Sequence, residues 1–216
     1  MLDYKVNHIP KNTPNNRRPG FSMTPSYLTI HSTGNPSSTA ANERAWLTNP
    51  TNDRQASYHI VVDEKEAIEV LPLNEVSWNA GDGNGQGNRA SIAIEICESG
   101  NRQKTLDNAV ALVAKMLKER KWGVDKLRRH YDWSRKECPR ILMANNWAGW
   151  EKFKQDVQKE LLTGGVIVAD KNTPDTWAKK DWDWAKKEGW LDGTRPKDNL
   201  TRQEFAIVIR RLVERK

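Results

Sequence analysis

The segment from His130 to Pro139 constrains this chain most, because it places a histidine and a cysteine close together in a short polar run. A third soft ligand, His31, lies far upstream at the end of an apolar run. Imidazole and thiolate both bind zinc well, and three protein ligands leave the fourth tetrahedral position open to water. This ligand count is typical of a catalytic zinc. The sequence therefore predicts a fold that brings His31, His130 and Cys138 together around one zinc ion.

Alternatives remain open at these positions. His31 can also be a hydrogen-bonded histidine at a sheet edge, and Cys138 an incidental thiol in a surface loop. His59 is a rival third ligand. It follows Tyr58 in a segment with strand periodicity, where neighbouring side chains point to opposite faces. We expect His59 to be buried and hydrogen-bonded rather than bound to metal.

Length, hydropathy and cysteine content limit the classes of protein to which this chain can belong. The 216 residues allow one full domain and a small second one. No apolar run reaches about eighteen residues, so no membrane span is predicted, and the first residues form no apolar signal region. Two cysteines make no disulfide scaffold. We expect Cys97 to be a packed, reduced thiol, and a Cys97–Cys138 bridge is the alternative that a cytoplasm disfavours.

The positive charge is concentrated in one region. The chain carries 35 Lys and Arg against 28 Asp and Glu, and much of the excess lies between Lys115 and Arg140. One interpretation is a solvated helix face and loop. The other is a surface that binds a polyanion, either nucleic acid or a bacterial cell wall rich in phosphate or uronic acid.

Periodicity predicts strands mixed with helices, which indicates an α/β fold with a central mixed β-sheet flanked by helices. An irregular arm over residues 1–26 is expected to precede this sheet. The predicted elements are a strand at Tyr27–His31, a short helix at Thr39–Leu47, a hairpin of Ser57–Val62 and Ala67–Leu71, a flexible loop at Gly81–Gly87, a strand at Ser91–Cys97, a helix capped by Thr105 and stopped by Gly123, a loop holding His130 and Cys138, and a helix carrying Trp147 to Leu161.

The predicted domain organisation has three parts. Residues 1–163 form the catalytic domain, 164–174 a linker, and 175–216 a small helical unit. Two helices are expected in that unit, near Trp177–Glu188 and from Arg202 to Val213. A unit of this size is marginal alone, so we expect it to pack on another surface.

Two charged residues, Glu95 and Lys136, have possible catalytic roles. Glu95 stands between isoleucines in an apolar strand, where a buried carboxylate is costly unless it is paired or neutralised. It either faces water or acts as a general base whose pKa is raised by burial. Lys136 precedes Cys138 by two residues. It is either a solvated lysine or a cation that stabilises an oxyanion.

Four segments together resemble the type 2 N-acetylmuramoyl-L-alanine amidases, a family that includes phage endolysins and peptidoglycan recognition proteins. The resemblance covers residues 20–160. The segments are Thr29-Ile-His31-Ser-Thr, Ser57-Tyr-His-Ile, Asn88-Arg-Ala-Ser-Ile-Ala-Ile-Glu95 and His130-x5-Lys136-x-Cys138-Pro139.

The resemblance implies a groove over a zinc ion held by His31, His130 and Cys138. It implies Glu95 as the catalytic carboxylate and Lys136 as the cation that stabilises the transition state. Some relatives lack a glutamate at the Glu95 position and use a tyrosine that matches Tyr58, which makes Tyr58 a secondary catalytic candidate. Trp78-Asn79-Ala80-Gly81 resembles a family segment that often reads Trp-His-Ala-Gly, with Asn79 in place of the histidine. Trp78, Asn79 and Trp133 are the candidates for substrate contact.

The C-terminal region resembles a single S-layer homology motif, a type that anchors proteins to Gram-positive cell-wall polymers. The resemblance rests on Trp177-Ala-x6-Ala185-x3-Gly189-x3-Gly193 and on Leu200-Thr-Arg-Gln-Glu-Phe-Ala206. It implies Trp190 and Arg202 as wall contacts. The alternative is that Thr201 and Glu204 form an ordinary helix capping box.

The sequence-based hypothesis is a zinc amidase that cleaves between N-acetylmuramic acid and L-alanine. It would be a phage or prophage endolysin that resides in the host cytoplasm without a signal peptide and acts on the cell wall after release. Its expected partners are peptidoglycan and an anionic wall polymer, with no nucleic acid or membrane, and the chain is expected to be a monomer or weak dimer. A non-catalytic peptidoglycan-recognition module and a zinc-containing nucleic-acid-binding protein are the alternatives.

Overall fold

The computed structural model describes residues 2–163 and 178–190 together with Arg210. The chain divides into two compact units, Met1–Gly165 and Val166–Lys216. The strands of the first unit are β1 (Asp3–Val6), β2 (Tyr27–Ser32), β3 (Ile60–Val62), β4 (Glu66–Glu69), β5 (Ser91–Ile96) and β6 (Leu127–Arg129). Among the described residues they form one sheet in the order β1-β4-β3-β5-β2-β6.

The sheet is mixed, as predicted. β3 and β4 form the expected antiparallel hairpin, and the other neighbouring strands run parallel. β2 lies between β5 and β6, so the C-terminal ends of three parallel strands meet at one edge. His31 stands near the end of β2 and His130 directly follows β6. The topology therefore brings together residues that are far apart in the sequence.

Helices cover both faces of the sheet. The helices of the first unit are α1 (Ala40–Thr48), α2 (Gln86–Arg89), α3 (Arg102–Arg120), α4 (His130–Ser134) and α5 (Ala144–Thr163), with α5 non-helical at Asn145–Trp147. Apolar residues of α3 and α5 pack with one face of the sheet in the larger core cluster. Residues of α1 pack with the other face in a smaller cluster. The α/β fold class is confirmed.

Strand alternation sorts the residues of β2 and β5 between these two faces. Leu28 and Ile30 of β2 lie in the larger core with Ile94 of β5. The alternate residues, which include His31 and Glu95, therefore point to the opposite face, on the side of α1. One face is filled with branched apolar side chains, and the other supplies the polar groups.

Several predicted boundaries were wrong. The arm over residues 1–26 contains β1, an edge strand whose four residues are all exposed. Helix α3 is capped by Asn101, whose side chain accepts a hydrogen bond from the Lys104 backbone, whereas the predicted cap Thr105 is fully buried inside the helix. The loop predicted to hold His130 contains a short helix, α4, that begins at His130.

The second unit is described only in part. Helix α6 (Lys179–Lys187) lies within the predicted tryptophan-rich helix, and the ring of Trp190 lies 6.0 Å from that of Trp184, centroid to centroid. The predicted linker and Arg202 lie outside the described residues, and of the predicted helix from Arg202 to Val213 only Arg210 is described. Over the part of the chain that the structure describes, none of the helices combines the length and apolarity needed to cross a bilayer.

Candidate active site

His31, His130 and Cys138 converge at the edge of the sheet where β2 and β6 end. All three are buried, and one ligand atom from each lies within 4.8 Å of the others. His31 Nδ1 is 3.0 Å from His130 Nδ1 and 3.8 Å from Cys138 Sγ. Tetrahedral zinc with ordinary bond lengths separates two nitrogens by about 3.3 Å and a nitrogen from a sulfur by about 3.6 Å. The observed separations are close to what zinc requires.

The loop that carries Cys138 is held against the rest of the site by backbone hydrogen bonds. The N–H of Tyr131 donates to the Cys138 carbonyl at 3.1 Å, and the Cys138 N–H donates to the Lys136 carbonyl at 2.7 Å. The N–H of Arg140 donates to Ser32 Oγ at the end of β2. These contacts fix the thiol beside the two imidazoles without requiring a bound ion.

Both imidazoles are shifted toward their neutral form, which is the form that binds metal. Burial, and after it the neighbouring His130, lowers the pKa of His31 well below its ordinary value. Burial, and after it the charge of Lys136, lowers the pKa of His130 to about 4. His31 Nε2 lies 3.2 Å from Asn79 Oδ1, and His130 hydrogen-bonds the backbone of Ala80.

The environment of Cys138 favours the protonated thiol. Burial, and after it the charge of Glu95, raises the pKa of Cys138 to about 12. A thiol must lose its proton to bind zinc, so metal binding here would release a proton. Two imidazoles that favour the neutral form and one thiol are the donor set expected for zinc. The distances between their ligand atoms also suit a zinc ion.

Glu95 adds a half-buried carboxylate to the cluster. Its Oε1 lies 3.9 Å from His31 Nδ1, and its Oε2 is buried without a hydrogen-bond partner among the described residues. Burial, and after it the charge of Glu43, raises the pKa of Glu95 to about 8. A carboxylate with a free oxygen and a raised proton affinity beside a metal-binding set can act as a general base.

Lys136 and Tyr58 differ in their relation to this cluster. Lys136 is exposed, and its charge lowers the pKa of His130 and also acts against the rise at Glu95. Tyr58 is buried, and its hydroxyl donates to the backbone carbonyl of Glu43 at 2.9 Å. Its position places the hydroxyl against α1, so a direct catalytic role for Tyr58 stays a prediction.

The three predicted substrate contacts occupy different environments. The indole N–H of Trp78 donates to the carbonyl of Asn16. The indole N–H of Trp133 donates to Thr29 Oγ1, and its ring meets that of Tyr27 edge-on at 5.4 Å. The side-chain oxygen of Asn79 is hydrogen-bonded to His31. The roles of all three in substrate contact stay predictions.

His59 and Glu43 are two further buried residues close to the site. His59 is fully buried and hydrogen-bonded, as expected. Glu43 was not singled out, although it is buried on α1 and its charge reaches Glu95. Its spacing from Ala40 and Leu47 places it on the apolar face of the helix. That spacing was the signal available in the sequence.

Comparison with known proteins gives concordant matches over this unit. The profile of the N-acetylmuramoyl-L-alanine amidase family matches residues 21–141. N-acetylmuramoyl-L-alanine amidase XlyB of Bacillus subtilis (strain 168) is 44% identical over 149 residues, which is 67% of this chain and 45% of that protein. The chain spans about half the length of the curated relatives it matches.

Solved structures match the same part of the chain. The catalytic domain of XlyA has a TM-score of 0.66 at 41% identity and covers 72% of this chain and 99% of the solved one. A mutant endolysin from Bacillus subtilis has a TM-score of 0.66 at 42% identity and covers 73% of this chain and 99% of the solved one.

Proposed function

This chain belongs to the N-acetylmuramoyl-L-alanine amidase family, and from that membership we propose that it is a zinc-dependent hydrolase of bacterial peptidoglycan. The bond cleaved is the amide between N-acetylmuramic acid and L-alanine. The proposed setting is a phage or prophage endolysin, and the similarity to a solved endolysin supports it. The observation that carries the proposal is the convergence of three ligand atoms beside a carboxylate that has one buried oxygen without a hydrogen-bond partner among the described residues.

The residues that would hold zinc are His31, His130 and Cys138. Their separations, the neutral state favoured for both imidazoles and the ligand count all suit a site with one open position. When bound there, zinc supplies a Lewis acid that polarises the amide carbonyl and makes water more acidic.

Glu95 is the proposed general base. It takes a proton from the attacking water and returns it to the leaving amine nitrogen. Its pKa of about 8 lies above neutrality, and positive charge brought near the carboxylate would lower that pKa toward the working pH. A pKa close to the operating pH suits a group that must both accept and donate the proton.

Lys136 is the proposed electrostatic stabiliser of the oxyanion. It is exposed on the loop that leads to Cys138, so its ammonium group can reach a substrate lying over the cluster. A cation aimed at the developing negative charge stabilises the transition state more than the ground state. Tyr58 remains the secondary catalytic candidate, as the alternative to Glu95.

Peptidoglycan and an anionic wall polymer are the proposed partners. Trp133 of α4 and Tyr27, the first residue of β2, form an aromatic pair, and the guanidinium of Arg128 stacks over the Tyr27 ring at 4.7 Å. Aromatic rings flanked by cations suit a sugar polymer that carries negative charge. Wall binding by the C-terminal unit, with Trp190 and Arg202 as contacts, is part of the same proposal.

A digest of purified cell walls tests the proposal. An amidase releases new L-alanine amino termini without new reducing sugar ends. Walls that bind the protein but remain intact would favour the non-catalytic recognition module. New reducing ends would indicate cleavage of the glycan strand instead, and either result would contradict the amidase assignment.

A further inference from the structure

A chain of hydrogen bonds connects the buried His59 to His31. Backbone groups determine which atom donates and which accepts in each of these bonds. At the inner end, His59 Nδ1 accepts a hydrogen bond from the backbone N–H of Ala93 at 2.9 Å. The proton of the neutral ring is therefore on Nε2, which donates to the carbonyl of Glu75 at 2.7 Å. The tautomer of His59 is fixed by two backbone contacts.

Ser77 is the next member of the hydrogen-bond chain, between His59 and Asn79. Its Oγ lies 3.3 Å from His59 Nδ1. Because that nitrogen has no hydrogen, the serine hydroxyl can only donate to it. Ser77 Oγ is then left as an acceptor, and it receives a hydrogen bond from Asn79 Nδ2 at 2.9 Å.

A second backbone group fixes the amide of Asn79 independently. Asn79 Nδ2 also donates to the carbonyl of Gly87 at 3.2 Å. A carbonyl oxygen can only accept, so the nitrogen of the amide must face Gly87 and the oxygen must face the other way. Asn79 Oδ1 therefore points at His31 Nε2, 3.2 Å away.

The consequence for His31 is a defined tautomer. The amide oxygen of Asn79 accepts only, so the proton of the neutral His31 ring is held on Nε2. The lone pair of Nδ1 then faces His130 Nδ1 at 3.0 Å and Cys138 Sγ at 3.8 Å. The backbone of Ala80 hydrogen-bonds His130 in the same way, so adjacent residues, Asn79 and Ala80, hold the outer sides of both rings.

This arrangement is costly without a cation. Two imidazole lone pairs directed at each other over 3.0 Å repel. A positive ion placed between them converts that repulsion into two bonds. The hydrogen bonds behind the rings thus oppose the alternative in which one ring turns its N–H toward the other.

We propose that Asn79 is a positioning residue that fixes the tautomer and ring orientation of His31, so that the Nδ1 lone pair is directed at zinc before the ion binds. The inference rests on the proposed zinc-dependent function. It gives Asn79 a role in assembling the metal site in place of the substrate contact expected from the sequence.

The test compares zinc affinity among variants by competition with a chromogenic chelator. Outer hydrogen-bond partners of zinc-binding histidines typically change metal affinity by about 10–100-fold. Asn79→Ala removes the acceptor and should weaken zinc binding by about tenfold or more. Asn79→Asp keeps an acceptor facing His31 and should bind zinc more tightly than Asn79→Ala. The matched control is Asn108→Ala, which removes a hydrogen bond from a half-buried asparagine to the Asp63 carbonyl away from the site.

Nitrogen-15 spectra of the metal-free wild type give a second readout that does not depend on activity or on zinc. They should show His31 protonated on Nε2. Equal zinc affinity in Asn79→Ala and Asn108→Ala, or a wild-type His31 protonated on Nδ1, would overturn the inference. A wild type that binds no zinc would instead reject the proposed function, while the tautomer measurement would still decide the role of Asn79.

Discussion

His31 and Glu95 lie directly opposite each other on the neighbouring parallel strands β2 and β5. The backbone pairing of these strands fixes the distance between a candidate metal ligand and a candidate base, with 3.9 Å between His31 Nδ1 and Glu95 Oε1. Groups held on paired strands are positioned more rigidly than groups on loops. The sheet therefore preorganises the part of the site where proton transfer is proposed.

The proposed base can be tested by removing its charge. Glu95→Gln keeps the shape of the side chain but cannot accept a proton, so turnover on cell walls should fall by about 10²–10⁴-fold. Zinc content and melting temperature should stay close to those of the wild type, since Glu95 is not one of the three ligands. A variant that retains most of its activity would remove Glu95 from the mechanism.

The role of Lys136 predicts a loss of rate without loss of metal. Lys136→Ala should lower kcat by about 10²–10³-fold if the ammonium group stabilises the oxyanion, and Lys136→Arg should recover part of that loss. Lys104→Ala is the control, because it removes an exposed lysine at the start of α3. Similar rates for the two alanine variants would show that Lys136 is only a solvated lysine.

The buried His59 predicts a loss of stability in mild acid. Burial lowers its pKa from 6.5 to about 4, whereas the unfolded chain takes up the same proton near pH 6.5. Between these pH values the unfolded state binds more protons, so stability falls as the pH is lowered. The His59 contribution is complete above about pH 6.5 and decreases by about 3 kcal/mol as the pH approaches 4.

Denaturant titrations of the wild type and His59→Gln at neutral and acid pH measure this contribution. The variant should be less stable at neutral pH, because it breaks the contacts with Ala93 and Glu75. It should also lose less stability on acidification than the wild type. An equal loss in both proteins would mean that His59 is not the group responsible.

Deletion of residues 166–216 tests whether catalysis and cell-wall binding belong to different units of the chain. All the candidate metal ligands and Glu95 lie in Met1–Gly165, so the truncated protein should cleave soluble muropeptides at the rate of the full chain. Its retention on whole cell walls in a sedimentation assay should be weaker. Equal retention of the two proteins would reject the C-terminal unit as an anchor.

Much of the fold and site could be predicted because the relevant residues carry strong local signals. The apolar strands β2 and β5 stand out by composition, and a histidine, a lysine and a cysteine close together in one segment is an uncommon combination. Strand β1 escaped prediction because its residues are all exposed, and its pairing with β4 depends on backbone hydrogen bonds. Asn101 and Thr105 can both cap a helix, and the folded structure shows that Asn101 does so, because its side chain accepts from the Lys104 backbone.

The hydrogen-bond partners of the site could not be predicted from sequence. Asn79 was expected to face the substrate because its neighbours resemble a groove segment. Its contact with His31 depends on where Ser77 and Gly87 lie after folding. Glu43 acts on Glu95 across the gap between a helix and a strand, a relation that no local pattern encodes.

The proposed function requires that His31, His130 and Cys138 hold one zinc ion with a position left open. X-ray absorption at the zinc edge of the purified protein measures this most directly. We expect one sulfur at about 2.3 Å and two histidine nitrogens at about 2.0–2.1 Å, with a further light atom completing four ligands. A zinc ion without a sulfur ligand, or a protein that takes up no zinc, would contradict it.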